Sequence, residues 1–389
     1  MLLLASDKAP TEARGWIFES GCGWQARTRF QRSAGADFPL DQPLTARSVL
    51  DRWQEIVSFT PGKTSSPEFA SDTRKRIMAN IQRSASTSPS SSSYQGNKYL
   101  RAIEDAKKAA PEQSRFCITD KDAILYNLSL GATPTQLSLV YENDPDFQVL
   151  PAFGVIPGTT AKRSFNLGDL VPSYSFKKLL HGEQFLEVRK YPIPTAGTFV
   201  SECKLVDIID KGKASVAVIG TLTYDSVTGE EVFYNETSLF LRDSGGFGGP
   251  SSRVGGGEAT EVYSVPNRQP DAVVEEKTSK DQATLYRLNG DRNPLHIDPA
   301  ASKAGGFEVP ILHGLCTFGI TTKHLVSSFR RIKNVKVRFT GTVTPGQTLV
   351  TEMWRDGGVV VFQTRIKETG KLCISASGAK LWLEPKGRL

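Results

Sequence analysis

The most informative stretch of this sequence reads Tyr286-Arg287-Leu288-Asn289-Gly290-Asp291-Arg292-Asn293-Pro294-Leu295-His296-Ile297-Asp298-Pro299. Its glycine and two prolines predict a fixed irregular loop instead of a helix or a strand. Within six residues the loop supplies a carboxylate (Asp291), an amide (Asn293) and an imidazole (His296). A carboxylate and an imidazole can share general acid–base work on one water molecule, with the amide to orient it. The alternative is an Asx-turn around Asp291 with a histidine at the surface, and the residues alone leave both interpretations open.

A second motif follows at Pro310-Ile311-Leu312-His313-Gly314-Leu315-Cys316-Thr317-Phe318-Gly319-Ile320. It predicts a loop that leads into an apolar, buried helix. The start of a helix offers free backbone N–H groups and a positive dipole end, which stabilise a developing oxyanion. Gly314 is the expected donor because no side chain blocks the approach to its N–H, and the neighbouring His313 is expected to matter much less. The alternative is a glycine required for contact between helix and sheet.

Composition and charge exclude several classes of protein. The 389 residues include 48 Lys+Arg and 41 Asp+Glu, giving a net charge of +7, with 39% apolar and 23% charged residues, an ordinary globular balance. No apolar run approaches the length of a membrane span. The five cysteines show no CxxC spacing, so neither a zinc site nor a disulfide framework is predicted. The basic residues are scattered and no nucleic-acid-binding motif accompanies them, so no nucleic-acid partner is expected.

A serine-rich segment at residues 84–93 predicts a flexible linker. With the charged stretch that follows, the expected linker covers residues 84–111 and separates residues 1–83 from the remainder. In the N-terminal piece we predict a strand near Gly15–Gly21 and a helix capped by Thr45. One strand and one or two helices are too little for an independent fold.

The region after the linker is richer in regular structure. A capping-box pattern starting at Thr119, with Asp122 in place of the usual Glu or Gln, predicts a helix that stops at Gly131. Alternating, β-rich stretches predict seven strands: Gln184–Tyr191, Thr198–Ile209, Ser215–Tyr224, Glu231–Leu241, Lys333–Phe339, Thr348–Trp354 and Val359–Lys367.

Two pairs of similar segments indicate an internal duplication. They are two glycine-containing strand starts, Ala196–Glu202 and Pro345–Glu352, and two copies of Leu-His-Gly, at Leu180–Gly182 and Leu312–Gly314. They predict two diverged copies of one helix-plus-sheet unit, joined near the glycine-rich segment that begins at Gly245.

The polar loop and the Leu312-His313-Gly314 motif together resemble the signature of the enoyl-CoA hydratase 2 (MaoC-like) family. The resemblance extends over about residues 115–385, where further motifs fit in order: Phe116–Ile124, Leu150–Ile156, His181–Gln184 and Gly245–Gly249. It implies an α+β double hotdog fold, in which two long helices are each wrapped by a curved antiparallel sheet. The implied halves are residues 112–250, which bind acyl-CoA, and residues 258–386, which carry the catalytic loop.

The same resemblance implies the activity, reversible hydration of trans-2-enoyl-CoA to (3R)-3-hydroxyacyl-CoA in peroxisomal fatty acid β-oxidation. The implied catalytic positions are Asp291, His296, Asn293 and Gly314, and the implied substrate site adds His181, Gly182, Lys211 and Phe339. The acid–base pair would deprotonate the water, the amide would order it, and the glycine N–H would bind the thioester oxygen. Taken alone, Lys211 is a solvated charge and Phe339 a core residue. No metal and no cofactor is implied.

The two ends of the chain carry further resemblances. The end of a short-chain dehydrogenase module resembles two segments here, Ile17–Trp24 and Arg29–Arg32. Residues 1–83 are therefore interpreted as a remnant of such a module. Because this remnant has no nucleotide-binding glycine loop, no 3-hydroxyacyl-CoA dehydrogenase activity is expected. The final Gly387-Arg388-Leu389 is close to a peroxisomal targeting tripeptide. The expected partners are an acyl-CoA thioester, a second copy of the chain in a homodimer, and a peroxisomal import receptor.

Two other functions suit a hotdog fold. One is a non-catalytic acyl-CoA-binding module, and the other is a thioesterase, which would place its carboxylate differently. The presence of the acid–base pair together with Asn293 and Gly314 favours the hydratase, since binding alone needs no acid–base pair.

Overall fold

The structure is a computed structural model, and it describes Leu2–Leu3, Trp16–Ser20, Gly23–Arg27, residues 96–253 and residues 255–382. The chain divides into two compact units. The first contains a three-stranded antiparallel sheet whose strands follow chain order: β1 (Leu2–Leu3), β2 (Trp16–Ser20) and β3 (Gly23–Arg27). Strand β2 confirms the strand predicted near Gly15–Gly21. The predicted helix after Thr45, the serine-rich segment and the C-terminal tripeptide lie outside the described residues.

The second unit, Lys98–Ser252 with Glu258–Leu389, is built on one ten-stranded antiparallel sheet. Its strands are β4 (Gln113–Ile118), β5 (Leu179–Val188), β6 (Gly197–Asp210), β7 (Ala214–Asp225), β8 (Glu231–Arg242), β9 (Ala272–Lys277), β10 (Ile332–Phe339), β11 (Thr348–Asp356), β12 (Val359–Ile366) and β13 (Leu372–Leu381). All seven strands predicted after the linker are confirmed, and β4, β9 and β13 are additional.

The order of the strands shows that the sheet is a duplication. Across the sheet the order is β4-β6-β7-β8-β5-β10-β13-β12-β11-β9. Each half contributes five strands. When the strands of a half are numbered in chain order, they lie in the order 1-3-4-5-2 from the edge of the sheet to its centre. Strands β5 and β10 pair antiparallel at the centre and join the halves. This topology confirms the predicted repeat and the double hotdog fold.

The two sequence similarities that suggested the repeat have different outcomes. The glycine-containing segments lead into β6 and β11, which are the third strands of the two halves, so they are equivalent positions. The two Leu-His-Gly copies are not equivalent, because the first lies in strand β5 and the second leads into a helix. That part of the repeat prediction is wrong.

Eight α-helices are present in the described part of the chain: α1 (Lys98–Lys108), α2 (Asp120–Ser129), α3 (Leu137–Val140), α4 (Val155–Thr159), α5 (Leu167–Leu170), α6 (Gln282–Tyr286), α7 (Pro299–Ala304) and α8 (Gly314–Phe329). Helix α2 confirms the predicted capping motif, since the Asp122 carboxylate accepts hydrogen bonds from Thr119 N (2.8 Å) and Thr119 Oγ1 (2.7 Å). None of the helices described is long and apolar enough to span a membrane.

Helix α1 lies where the sequence predicted a charged linker. Its Leu100, Ile103 and Ala106 are buried on one face, and Lys107 Nζ lies 2.7 Å from the carboxylate of Asp207 in β6. The linker prediction is wrong over these residues, because apolar side chains at helical spacing fold this stretch onto the sheet.

The two halves differ in their central helix. Helix α8 is 16 residues long, and every residue from Leu315 to Leu325 is buried. In the first half, a 3₁₀ turn at Pro151–Gly154 runs into the five-residue helix α4 instead. The expectation of two long helices is wrong for this half. Helix α4 contains Pro157 and Gly158, both poor helix formers, which explains why it stays short.

One apolar core runs through both halves. Its largest fully buried side chains include Tyr126, Phe153 and Phe233 from the first half and Tyr286, Phe318 and Phe362 from the second. The core therefore holds the start of α8 and the loop before it in a fixed position relative to the sheet.

Candidate active site

The polar loop has the irregular conformation that its glycine and prolines predicted. It begins at Gly290, whose φ of 124° is a conformation that side-chain-bearing residues rarely adopt. Asp291 Oδ1 accepts a hydrogen bond from Asn293 N (3.2 Å). Asn293 Oδ1 accepts one from Leu295 N (3.1 Å) and so caps the 3₁₀ turn Pro294–His296. The two short polar side chains thus shape the loop locally, and Asn293 keeps its Nδ2 amide as a further hydrogen-bonding group.

His296 is buried at the end of this turn, and its Nδ1 lies 2.8 Å from the backbone oxygen of Ile311. A carbonyl oxygen can only accept a hydrogen bond, so Nδ1 carries the proton and Nε2 carries the lone pair. Burial lowers the pKa of His296 below its usual value, an effect that the bond to Ile311 and the charge of Asp291 partly oppose. At neutral pH this side chain is therefore a neutral imidazole with one free basic nitrogen.

Three side chains form what we call the acid–base cluster: Asp291, His296 and His313. One carboxylate oxygen and one ring nitrogen from each histidine lie within 4.8 Å of one another. The ring of His313 stacks on that of His296 with 3.8 Å between centroids and 29° between planes. His313 Nε2 lies 3.2 Å from the backbone oxygen of Asp291.

His313, which the sequence predicted to matter much less than Gly314, lies against both proposed catalytic side chains, Asp291 and His296. Its position immediately before Gly314, at the turn from loop to helix, was a signal in the sequence that could have drawn attention to it.

The geometry of the cluster suits acid–base chemistry better than metal binding. A carboxylate and two imidazoles are a common ligand set for transition metals. In this cluster, however, one nitrogen of each ring faces a backbone carbonyl, and the two rings are stacked. Imidazole lone pairs lie in the ring plane, and two stacked planes with centroids 3.8 Å apart do not favour convergence of both lone pairs on one ion.

Gly314 is the first residue of α8, and it is exposed. The first N–H groups of a helix have no acceptor within the helix. A Cβ built on Gly314 would lie 3.6 Å from the ring of Phe339, the last residue of β10. That ring contacts the ring of His181 at 4.9 Å between centroids in an edge-to-face arrangement.

His181 belongs to the same region as the cluster. Burial lowers the pKa of His181 to about 4, and the negative charge of Asp291 is near enough to oppose that shift. The structure thus brings together Asp291, His296, Gly314, Phe339 and His181, although they come from three separate parts of the sequence.

Gly182 follows His181 at a register shift between β5 and β8. A Cβ at Gly182 would lie 3.3 Å from the backbone oxygen of Ser238, a tight approach that favours glycine. The bulge at this position changes which way the flanking side chains face, and it accompanies the placement of His181 beside Phe339.

Lys211 lies elsewhere, in the turn between β6 and β7. It is exposed, and its Nζ donates to the backbone oxygen of Ser251 (2.7 Å). No contact within the described residues joins it to the acid–base cluster. Of the predicted substrate residues, Lys211 is the one that the structure does not bring next to the others.

The glycine-rich motif lies beside Lys211 and has a structural explanation. The Asp210 carboxylate accepts hydrogen bonds from the backbone N–H groups of Gly212 (2.8 Å), Gly246 (2.9 Å) and Gly248 (2.9 Å). Burial alone would raise the pKa of Asp210, but these donors outweigh it and lower the pKa. The motif is thus a loop wrapped around a buried carboxylate.

Comparison with known proteins shows the family to which this fold belongs. Residues 116–243 match the MFE-2 hydratase 2 N-terminal domain, and residues 261–376 match the MaoC like domain. The chain is 49% identical over 381 residues to the peroxisomal hydratase-dehydrogenase-epimerase of Neurospora crassa, which covers 98% of this chain and 42% of that protein. It is 41% identical over 283 residues to the probable enoyl-CoA hydratase 2 of Dictyostelium discoideum, which covers 70% of this chain and 94% of that protein.

A solved structure has a similar fold over most of this chain. The MaoC-like dehydratase from Phytophthora capsici superposes with a TM-score of 0.64 at 29% identity, over 72% of this chain and 99% of that one. The chain thus spans less than half the length of the Neurospora protein and nearly all of the Dictyostelium protein.

The duplicated sheet and the polar loop before α8 define a MaoC-like double hotdog protein. Within that class, the chain belongs to the hydratase 2 family.

Proposed function

We propose that this chain catalyses the reversible hydration of trans-2-enoyl-CoA to (3R)-3-hydroxyacyl-CoA. The observation that carries the proposal is the acid–base cluster, in which the Asp291 carboxylate and the neutral His296 imidazole with a free Nε2 lie against His313, the residue that directly precedes Gly314 at the start of α8. The name of the Dictyostelium relative, a probable enoyl-CoA hydratase 2, supports the same reaction.

In the first step the thioester carbonyl oxygen accepts a hydrogen bond from Gly314 N–H. The N-terminal end of the 16-residue helix α8 adds a positive dipole at this point. As water attacks, negative charge develops on the thioester oxygen, and a donor already in place stabilises that charge. Carbon C3 of the enoyl group becomes electrophilic as a result.

The water is held by Asp291 and His296, which both offer acceptors for its hydrogens. Its oxygen forms a bond to C3, the π electrons of the C2=C3 bond move toward C2 and the thioester oxygen, and a proton is delivered to C2. One proton leaves the water and one reaches C2, so the pair returns to its starting protonation. The Nδ2 amide of Asn293 is positioned on the same loop to donate to the water oxygen.

The substrate would extend from the cluster past Phe339 and His181, whose rings form an apolar wall. Gly182 would let the thioester or pantetheine chain pass close to the backbone of β5. The exposed ammonium of Lys211 suits a CoA phosphate.

We also propose a peroxisomal location and a homodimer. The Neurospora relative is named peroxisomal. An import receptor would recognise the tripeptide Gly387-Arg388-Leu389. Strands β4 and β9 are the two edges of the sheet and would have to be protected or paired. Light scattering with the purified chain tests whether it is a dimer. Import of a fluorescent protein that carries the tripeptide at its C-terminus tests whether the tripeptide is a peroxisomal targeting signal.

The activity is tested by adding the purified chain to a trans-2-enoyl-CoA. The proposal expects the enoyl-thioester absorbance to fall and chiral analysis to find the (3R) alcohol with the thioester intact. Release of free CoA thiol would indicate a thioesterase. Tight binding with no change in absorbance would indicate a binding module, and either result would refute the hydratase.

A further inference from the structure

His313 joins three parts of the site. Its Nε2 reaches the backbone oxygen of Asp291 (3.2 Å), its ring stacks on His296 at 3.8 Å, and its own peptide leads into Gly314. The side chain is 1% exposed, and the ring of Tyr286 packs against it at 5.0 Å between centroids. Any displacement of His313 therefore moves Asp291, His296 or Gly314.

The hydrogen bonds fix which nitrogen of His313 carries the proton. The carbonyl of Asp291 can only accept, so Nε2 is protonated and Nδ1 carries the lone pair. Nδ1 is buried and has no hydrogen-bond partner. Burial, followed by the charges of His296 and Arg287, lowers the pKa of His313, and the charge of Asp291 opposes this only in part. A proton placed on this buried Nδ1 would have no partner to accept its hydrogen bond, so His313, unlike His296, is poorly suited to a proton transfer of its own.

We propose that His313 is a positioning residue that fixes the main chain at Asp291 and the ring plane of His296, so that both face the water beside Gly314 N–H. The proposal rests on the hydration activity proposed above. It differs from the sequence-based expectation that His313 matters little. It also explains why a histidine suits this position, since a histidine ring supplies both a flat stacking surface and a hydrogen-bond donor.

Three variants separate the two contacts. His313→Phe keeps a ring to stack on His296 but loses the donor, His313→Gln keeps a donor for the Asp291 carbonyl but loses the ring, and His313→Ala loses both. Misplacement of reacting groups by about 1 Å can cost on the order of 10²-fold in rate. We expect His313→Ala to lower kcat by roughly that factor with little change in KM, and the other two variants to lie between it and the wild type.

A second measurement follows His296 without using activity. The chain has only four histidines, so ¹⁵N-labelled imidazoles can be titrated individually by NMR. We expect His313→Ala to raise the pKa of His296, because water reaches the ring face that His313 covered. His313→Phe should leave that pKa near its wild-type value.

The matched control is His324→Gln in α8, the helix that His313 directly precedes. His324 is also buried, and it contacts Thr351 Oγ1 (2.8 Å) and Glu276 Oε2 (3.1 Å) instead of the cluster. This variant should lower the melting temperature while leaving kcat and the pKa of His296 unchanged.

Two results would overturn the proposal. In the first, folded His313→Ala keeps the native kcat and the pKa of His296 is unchanged. In the second, His313→Ala and His324→Gln lose kcat equally and the pKa of His296 is unchanged in His313→Ala. Should His313→Ala fail to fold, an unaltered kcat in both His313→Phe and His313→Gln overturns it equally. If the wild type does not hydrate enoyl-CoA but the His296 pKa still rises in His313→Ala, the proposed activity fails and the positioning role stands.

Discussion

At the scale of single residues, the site depends on two backbone carbonyls that set the state of two side chains. The oxygen of Ile311 leaves His296 with a free Nε2, and the oxygen of Asp291 holds His313. The sequence could suggest Asp291, Asn293 and His296 as candidates because they lie within six residues of one loop. It could not identify the role of His313, because ring stacking depends on how two distant segments pack.

The glycine at the head of α8 gives the first prediction. A Cβ on Gly314 would be in ordinary contact with Phe339 at 3.6 Å, so larger side chains are tolerated by the fold but would crowd an incoming thioester oxygen. We expect Gly314→Val to lower kcat by about 10²–10³-fold, the usual cost of losing one oxyanion donor. Circular dichroism provides the control that α8 is intact, and native turnover in a folded Gly314→Val would contradict the assignment.

The second prediction concerns pH. His296 must be neutral to accept a proton, and burial lowers its pKa below the usual 6.5. A lowered pKa keeps the base neutral to more acidic pH, so kcat/KM should stay high as the pH falls through 6.5 and decline only below it. The profile of kcat/KM against pH measures this. An acidic limb centred above 6.5 would show that His296 is not the buried neutral base described here.

At the scale of elements, helix α8 is fixed to its surroundings by a buried polar network. Lys323 Nζ donates to the backbone oxygen of Leu130 (2.6 Å) and to Glu276 Oε1 of β9 (2.9 Å). His324 contacts Glu276 Oε2 and Thr351 Oγ1. The network ties α8 to β9, to β11 and to the end of α2.

Removing one partner of this network should destabilise the fold. Burial raises the pKa of Glu276, but its bonds to His324 and Lys323 outweigh burial and lower it. Loss of one partner of a buried ion pair typically costs about 3–5 kcal/mol. The Glu276 side chain is 24% exposed, so we expect Glu276→Gln to lower the free energy of unfolding at pH 7 by less than that, about 1–3 kcal/mol, measured by urea denaturation.

The pH dependence of that difference is a separate check. A carboxyl whose pKa is lowered in the folded state stabilises the fold above its unfolded pKa of about 4.3. This stabilisation is lost as the pH falls through the folded pKa. The difference between wild type and Glu276→Gln should therefore shrink below about pH 4, and a difference that stays constant down to pH 2 would contradict the role given to Glu276.

Individual elements show what the sequence could and could not predict. The long strands were predictable because apolar and polar residues alternate along them. Strand β13 was not, because its Leu372–Leu381 sequence is rich in small residues and shows weak alternation. The short helix α4 could have been anticipated from Pro157 and Gly158, which the expectation of two long helices overlooked.

At the scale of the whole molecule, the two halves share one sheet and one core. Strands β5 and β10 form the central pair, and Arg338 Nε donates to Glu183 Oε1 across it (2.8 Å). Gln282 Nε2 of the second half donates to the backbone oxygen of Ser129 in the first (2.5 Å). The loop that carries Asp291 also contacts the first half, because Asn289 Nδ2 donates to Ser129 Oγ (3.0 Å).

The halves should accordingly unfold together. We expect hydrogen exchange followed by mass spectrometry in increasing urea to show β6–β8 and β11–β13 losing protection at the same urea concentration, because separating the halves exposes their common core. Loss of protection in one half while the other remains protected would show that the duplicated units are independent.

The most direct test of the central claim compares the wild type with Asp291→Asn. The substitution keeps the size of the side chain and its ability to accept a hydrogen bond from Asn293 N, but it removes the carboxylate that shares the water with His296. The measurement is the initial rate at which the enoyl-thioester absorbance falls at saturating trans-2-enoyl-CoA. We expect the wild type to consume the substrate and Asp291→Asn, folded by circular dichroism, to show no turnover above background. Near-native turnover by Asp291→Asn would contradict the account.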